Sequence, residues 1–295
     1  MAHAVGVMAH DEGANIATAL RSILAQRGPH VGAPEVVVVA SGCTDDTVPR
    51  VREVAATEPR IALIEQPRRE GKASAINLFL DRAADAPVLV LAGGDTRLAE
   101  GALEALLAPF DDPGVGMTGG RPVPVNSTGS LLGRVVQLQW CLHDAIARRS
   151  PKLGELVAFR RAAVRRLDEA TAVDEASIEA AVAEAGLRRV YVPEARVAMK
   201  GPSTLSDFLA QRRRIHAGHL ALRRATGHAV STMSPWAALR AAAALAREGR
   251  TTWTTVLASA ALESFGRALG FWDARIARRD LRAWSRVAST KDLTP

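Results

Sequence analysis

Short apolar runs alternate with segments of helical periodicity through the first hundred residues. Each run has the length and composition of a buried strand, and each is followed, after a polar turn, by apolar residues that recur every three or four positions. Strands that alternate with helices predict an α/β fold built on an open, mostly parallel sheet. The predicted strands are Ala4–Ala9, Glu35–Val39, Ile61–Ile64 and Val88–Leu91, and the helices are Asn15–Gln26, a segment through Val51 and Val54, and Ala73–Ala83.

The middle of the chain continues this mixture, and the last seventy residues do not. After Gly227 the strand-like pattern stops, and two Ala-rich helical segments follow. We therefore expect a main α/β domain at residues 1–225 and a C-terminal helical extension at residues 226–295. Strands are predicted within Val115–Val123, Gly154–Arg161 and Val190–Val192, and helices at Ala102–Phe110, Ser130–Arg149, Ser177–Glu184, Asp207–His219, Trp236–Arg247 and Thr254–Arg278.

Polar clusters follow the predicted strands at the point where each strand ends. Glu12 follows the first strand, Asp45 and Asp46 the second, Lys72 the third and Asp95 the fourth. An open parallel sheet binds its ligand in the crevice beyond the carboxyl ends of its strands, so these side chains are expected to line one site. The alternative is that the acids only form turns and cap helices. No Walker loop or GxGxxG segment follows the first strand, which argues against an NTPase or a dinucleotide enzyme.

Composition and charge indicate a class of binding partner and a cellular compartment. The formal net charge is +7, with most of the excess Arg after residue 145, which favours an anionic partner such as nucleotide phosphates or an acidic membrane surface. We expect no nucleic-acid partner, because no recognised motif accompanies the charge. Two cysteines, Cys43 and Cys141, make neither a disulfide framework nor a metal cluster, which fits a reducing compartment. The sequence shows no leader peptide, so we expect a cytoplasmic protein, either free or peripheral on the cytoplasmic face of the membrane.

Three carboxylates fall within six residues in the segment Asp174–Glu179. Two adjacent acids at the start of a helix can simply complement its positive N-terminal end. The alternative is a general base beside a bound substrate, since like charges raise the pKa of one member of a pair.

These features, taken in chain order, resemble the inverting family 2 glycosyltransferases of the GT-A fold. The resemblance covers roughly residues 4–225 and rests on the order of its motifs, each of which is weak alone. The motifs are His10-Asp11-Glu12, Ser41-Gly42-Cys43-Thr44-Asp45, Gly71-Lys72-Ala73 with Asn77, Gly93-Gly94-Asp95, Gly154-Glu155-Leu156, Val173-Asp174-Glu175 with Gly186, and Gln211-x-x-Arg214 with Ile215 in the place of Trp.

The resemblance implies a sugar transfer from a nucleotide-diphosphate donor, assisted by Mg²⁺ or Mn²⁺. The family's usual spacing back from Gly186 implies Glu175 as the base, with Asp174 as the second candidate because the register can slip by one. Asp95 would hold the metal. The donor site would comprise Glu12, Ser41, Asp45, Lys72, Gly93 and Asp95, and the acceptor or diphosphate side would comprise Glu155, Gln211 and Arg214.

Two departures from the family pattern leave other functions open. The family usually has Asp where this chain has Ser41 and Gly93, and both missing acids belong to nucleotide recognition. A degenerate sugar-nucleotide-binding or scaffold protein of the same fold is therefore the main alternative. A nucleotidyltransferase is a third candidate, but residues 10–14 lack the Gly-rich basic signature expected of one.

The C-terminal extension has three candidate roles. Charged residues interrupt its apolar runs, so we expect no spanning helix. Its helices either pack on the main domain, form a homo-oligomer contact, or lie on an anionic membrane through aromatic residues beside arginines. The last role would favour a lipid-linked acceptor. The residues concerned are Trp253, Phe265, Phe271, Trp272, Arg275, Arg278 and Arg279.

Overall fold

The centre of the molecule is one mixed, mostly parallel sheet of eight strands. The computed structural model describes residues 2–228, 231, 234–277, 288–291 and 293. The strand order across the sheet is β3-β2-β1-β4-β7-β6-β8-β5. The strands are β1 His3–Ala9, β2 Glu35–Ser41, β3 Ile61–Gln66, β4 Val88–Gly93, β5 Arg97–Leu98, β6 Val115–Pro124, β7 Leu156–Arg160 and β8 Arg188–Met199.

The first four strands are parallel to one another, as the alternating pattern predicts. Met8 of β1 is in register with Val39 of β2 on one side and with Gly93 of β4 on the other, so the three strands end at the same edge. Strand β7 then pairs antiparallel with both β4 and β6, and β6 pairs parallel with β8. The reversal at β7 brings the turn that precedes it, at Gly154 and Glu155, to the edge where β4 ends.

Helices cover both faces of the sheet, because successive strand residues point to opposite sides. Val5 and Val7 pack in the core beneath α1, whereas Ala4 and Met8 pack in the core beneath α3. The helices are α1 Ile16–Leu24, α2 Thr47–Ala55, α3 Lys72–Arg82, α4 Ala102–Leu107, α5 Leu131–Ala147, α6 Asp174–Glu184, α7 Leu205–Thr226, α8 Pro235–Arg247 and α9 Trp253–Trp272.

The structure extends several predicted elements. Helix α6 begins at Asp174, three residues before the predicted start at Ser177. Asp174 and Glu175 therefore both lie in its first turn. Strand β8 runs for twelve residues, because it pairs with β6 along one edge and, near its end, with β5 along the other edge. Helix α7 ends at Thr226, one residue beyond the predicted domain boundary.

Helices α8 and α9 of the extension pack against α5, and α9 also packs along α7. Leu138 of α5 shares a small buried cluster with Ala242, Leu245 and Val256. In the described part of the chain, no helix is both long enough and apolar enough to cross a bilayer. The predicted membrane-facing residues Arg278 and Arg279, and the predicted helix end at Arg278, lie outside the described residues.

Candidate active site

One cavity of about 880 Å³ lies at the carboxyl edge of the parallel strands and extends beneath the C-terminal helices. The volume is near the upper end of the roughly 300–1,000 Å³ typical of ligand sites. Ten of the eleven predicted site residues line it: Glu12, Ser41, Lys72, Gly93, Asp95, Glu155, Asp174, Glu175, Gln211 and Arg214.

The remaining predicted site residue, Asp45, is used by the local backbone. Its carboxylate accepts hydrogen bonds from Gly13 N at 2.9 Å and from Thr47 N at 3.0 Å, and its side chain is exposed outside the cavity. These bonds tie the loop after β1 to the start of α2. The geometry thus gives Asp45 the turn-forming role that was the alternative for all the strand-end acids.

Gly42 allows the loop after β2 to pass close to the chain near Arg69. Its φ is +57°, and an added Cβ would lie 2.5 Å from Arg69 N. A residue with a side chain would therefore be strained and would clash with backbone. The same loop holds the preceding Ser41, whose hydroxyl donates to Gln66 Oε1 at 2.6 Å.

On the predicted donor side, Glu12 is almost fully buried beside the β4 turn. Burial and, next, the negative charge of Asp95 raise the pKa of Glu12 to about 7. Its Oε2 has no hydrogen-bond partner among the described residues, whereas its Oε1 pairs with Lys291. Two carboxylates that repel each other at a strand end form a set of hard oxygen donors, and this set fits a divalent cation.

A second group of side chains that could hold a metal ion lies in the loops that follow β1 and β2. Single ligand atoms of His10, Asp11 and Cys43 lie within 4.8 Å of one another. The sequence expectation that the cysteines form no metal cluster did not anticipate this grouping, which joins residues from two loops. His10 Nδ1 is 2.7 Å from the carbonyl oxygen of Ser41, and Asp11 accepts a hydrogen bond from Thr44 N.

The opposite wall of the cavity carries Asp174 and Glu175 at the start of α6. Lys72, the first residue of α3, places its Nζ 2.5 Å from Glu175 Oε1. Burial works against ionisation of both acids. The Lys72 ammonium nevertheless holds the pKa of Glu175 below its usual range, whereas burial keeps the pKa of Asp174 above its usual range. Burial lowers the pKa of Lys72, but the charges of Glu175 and Asp174 raise it by more. The pKa of Lys72 therefore lies above its usual value.

Glu155 occupies a strained position between the two walls. Its φ is +62°, a left-handed conformation that costs a residue with a side chain about 1 kcal/mol. Burial and the charges of Glu175 and Asp95 raise its pKa to about 7. The residues before it are held by Glu179, which is fully buried on α6 and accepts from Leu153 N at 2.8 Å.

Helix α7 contributes basic groups that face the cavity. Gln211, Arg212 and Arg214 all line it, and the Nε atoms of both arginines are buried without a hydrogen-bond partner in the described structure. Burial raises the pKa of Asp174, and the positive charge of Arg214 offsets part of that effect. A guanidinium so placed can receive an anionic ligand.

The C-terminal residues 288–291 and 293 lie beside the predicted donor side, and the sequence patterns did not indicate this. Lys291 pairs with Glu12, and its carbonyl oxygen accepts from Asn15 Nδ2 at 2.9 Å. Ser289 N donates to Asp207 Oδ2 at 3.0 Å. No local signal could have found Lys291, because 279 residues separate it from Glu12 along the chain.

Comparisons with known proteins agree on one family. The model described as "Glycosyl transferase family 2" matches residues 4–166, and the model described as "Glycosyl transferase family group 2" matches residues 89–277. An N-acetylglucosaminyltransferase of Bradyrhizobium diazoefficiens is 26% identical over 219 residues, which is 68% of this chain and 44% of that protein. The chain therefore matches less than half the length of this curated relative.

Solved structures share the fold. The mannosyltransferase PcManGT from Pyrobaculum calidifontis, in complex with GDP-Man and Mn²⁺, aligns with a TM-score of 0.68 at 23% identity, over 94% of this chain and 88% of that chain. Glucosyl-3-phosphoglycerate synthase from Mycobacterium tuberculosis, in complex with Mg²⁺ and UDP, aligns with a TM-score of 0.51 at 18% identity, over 77% of this chain and 79% of that chain. The GT-A fold predicted from the sequence is confirmed.

Proposed function

The chain belongs to glycosyl transferase family 2, and we propose that it transfers a sugar from a nucleotide-diphosphate donor to an acceptor hydroxyl or lipid phosphate, with inversion. The observation that carries this proposal is the shared cavity. It joins strand-end acids on one wall to Lys72, Asp174 and Glu175 on the other. Solved relatives of the same fold hold GDP-Man with Mn²⁺ or UDP with Mg²⁺, which supports a nucleotide-sugar donor for this chain.

Glu175 is proposed as the general base, with Asp174 as the second candidate. The base takes the proton of the acceptor group as its oxygen forms a bond to the anomeric carbon, and the bond from that carbon to the diphosphate oxygen breaks. Attack from the face opposite the leaving group inverts the anomeric centre. The Lys72–Glu175 pair must open for this step, and the donor diphosphate offers Lys72 an alternative anionic partner.

The leaving diphosphate requires positive charge on the donor side. Lys72 and Arg214 can supply it, because both line the cavity and each carries hydrogen-bond donors suited to phosphate oxygens. Asp95, with Glu12 beside it, would hold Mg²⁺ or Mn²⁺, which supplies Lewis acidity and neutralises charge on the diphosphate. Gln211 and Glu155 are proposed to contact the acceptor or the diphosphate.

A direct test uses the two acids of α6. A thermal-shift screen of sugar nucleotides, with and without Mn²⁺, first identifies the donor. Glu175→Gln should then lower transfer by at least about 100-fold, because loss of a general base typically costs 10²–10⁴ in rate. Asp174→Asn reports on the second candidate. Wild-type rates in both variants would refute the assignment of the base.

The main alternative is a sugar-nucleotide-binding protein without turnover. Ser41 and Gly93 favour it, because each replaces an acid that family members usually carry in nucleotide recognition. Hydrolysis of the donor in the presence of Mn²⁺ discriminates between the two functions. A binding protein would show a thermal shift with the sugar nucleotide and no release of nucleoside diphosphate.

A further inference from the structure

The cavity does not end at the two acids of α6 but continues into a space between α5, α8 and α9. We call this part the apolar arm and define it by five lining residues: Leu138, Leu142, Ile146, Ala242 and Val256. The three residues of α5 are spaced by four and therefore lie on one helix face. A nucleotide, a diphosphate and a hexose offer little apolar surface, so the donor does not explain these walls.

Polarity changes along the wall that α9 contributes to the cavity. Val256 lies in the apolar arm. Glu263 and Arg267 follow two and three turns later on the same helix and line the same cavity. Glu263 pairs with both Arg267 and Arg212, so this part of the wall is polar. Arg212 in turn neighbours Arg214, whose charge reaches Asp174. The cavity is thus polar where the reacting acids lie and apolar at its far end, which is the complement of an amphiphile.

The apolar arm opens at an apolar part of the surface. Leu239 of α8 lines the cavity and is also 53% exposed, and Trp236, one turn earlier, is 71% exposed. Exposed apolar side chains continue along α9 at spacings of four and eight residues, at Trp253, Leu257 and Phe265. The cavity therefore reaches the surface at Leu239, next to exposed apolar side chains.

From this geometry we infer that the acceptor is an amphiphile, a lipid-linked molecule whose apolar chain occupies the apolar arm and whose nucleophilic end lies at Glu175. The inference rests on the proposed sugar transfer and names the acceptor class for the same cavity. The apolar chain of this acceptor lies along the apolar arm, and its polar end meets the Arg212 and Arg214 guanidinium groups.

The test is a series of n-alkyl phosphates with four, eight and twelve carbons, titrated into the full chain by calorimetry below their micelle concentrations. Each buried methylene contributes about fourfold in affinity when it is fully removed from water. We expect dodecyl phosphate to bind at least about 100-fold more tightly than butyl phosphate. Equal affinities across the series would overturn the inference.

Matched variants test whether the alkyl chain of the ligand occupies the apolar arm. Ala242→Phe fills the apolar arm and should abolish most of the dependence on chain length. Ala244→Phe places the same side chain on the exposed side of the same helix and should leave it unchanged. Dodecyl binding that is equal in both variants would contradict an occupied arm. If Ala242→Phe lowers the thermal unfolding midpoint severely, Ala238→Phe, at a half-buried lining position, replaces it.

The same titrations separate this inference from the proposed function. Binding of the donor sugar nucleotide is measured on the wild-type chain and on Ala244→Phe. Donor binding with turnover, together with affinities that do not depend on chain length, would overturn only the lipid acceptor. Failure to bind or hydrolyse any sugar nucleotide would overturn the transferase itself, whatever the alkyl series shows.

Discussion

Lys72 and Glu175 form an ion pair at the proposed reaction centre. They are 103 residues apart in the chain, yet their charged atoms lie 2.5 Å apart across the cavity. A carboxylate in such a pair has little affinity for a proton, because proton uptake would neutralise the carboxylate and leave the ammonium without its counter-charge. We therefore expect Lys72 to hold the proposed base in this ion pair until an anionic ligand, such as the proposed donor diphosphate, binds Lys72.

This pairing predicts a shift in the pH dependence of transfer. The Lys72 ammonium keeps the pKa of Glu175 low, so Glu175 stays ionised down to acidic pH. In Lys72→Met that pKa should rise, because burial then acts on the carboxyl without a nearby counter-charge. The acid limb of the kcat/KM profile should move to higher pH by at least about one unit. Lys72→Arg keeps the charge and should keep the limb in place; a limb common to all three proteins would assign it to another group.

At the scale of elements, the C-terminal segment formed by residues 288–291 and 293 adds a cation to the proposed donor side. Asn15 binds this segment at two points, accepting from Leu293 N at 3.1 Å and donating to the carbonyl oxygen of Lys291 at 2.9 Å. Ser289 also bonds to Asp207 at the start of α7. These contacts position the Lys291 ammonium against Glu12, where it offsets part of the charge that Glu12 and Asp95 place there.

Removal of this cation should weaken donor binding. The donor diphosphate is anionic, so Lys291→Ala should raise the dissociation constant of the sugar nucleotide by about three- to tenfold, the size of one partly exposed charged contact. The effect should shrink as salt increases, because screening weakens such contacts. Lys291→Arg should bind nearly as the wild type does. Tighter binding by Lys291→Ala would show instead that the segment obstructs the donor.

For the molecule as a whole, two features suggest that it binds a larger partner. One is the set of exposed apolar residues on α8 and α9, and the other is the basic net charge. Trp236, Leu257 and Trp272 are each more than half exposed, and Arg275 lies over the ring of Phe271 at 5.8 Å. Aromatic side chains beside arginines suit the interface of an anionic membrane. A homo-oligomer contact would bury the same residues, and the described structure contains one chain.

Vesicle flotation distinguishes binding to an anionic membrane from a homo-oligomer contact. We expect the full chain to float with vesicles that contain anionic lipid and to be released by high salt, since the attraction is partly electrostatic. Leu257→Glu should reduce flotation by about tenfold, and Arg52→Glu, on the far side of the sheet at α2, should change it little. A dimer in sedimentation equilibrium that Leu257→Glu dissociates, with no flotation of the wild type, would assign this face to self-association.

The sequence alone determined the sheet, its helices and the strand-end position of most site residues. Periodicity is local: it reports which face of each element is buried, and a parallel sheet then brings its carboxyl ends together. Local patterns also placed Asp174 and Glu175 at the start of a helix. They could not separate Asp45, which bonds to its own loop, from Asp95, which lines the cavity, because both are acids that follow strands.

Only the tertiary structure decided which distant groups meet. The Lys72–Glu175 pair, the approach of Lys291 to Glu12 and the apolar arm all join residues from separate elements. Leu138, Ala242 and Val256 each have an ordinary apolar helix position in the sequence, and nothing in their spacing distinguishes a packed core from the wall of a cavity. That difference depends on how closely three helices approach, which is set by the packing of all their side chains together and has no local signal.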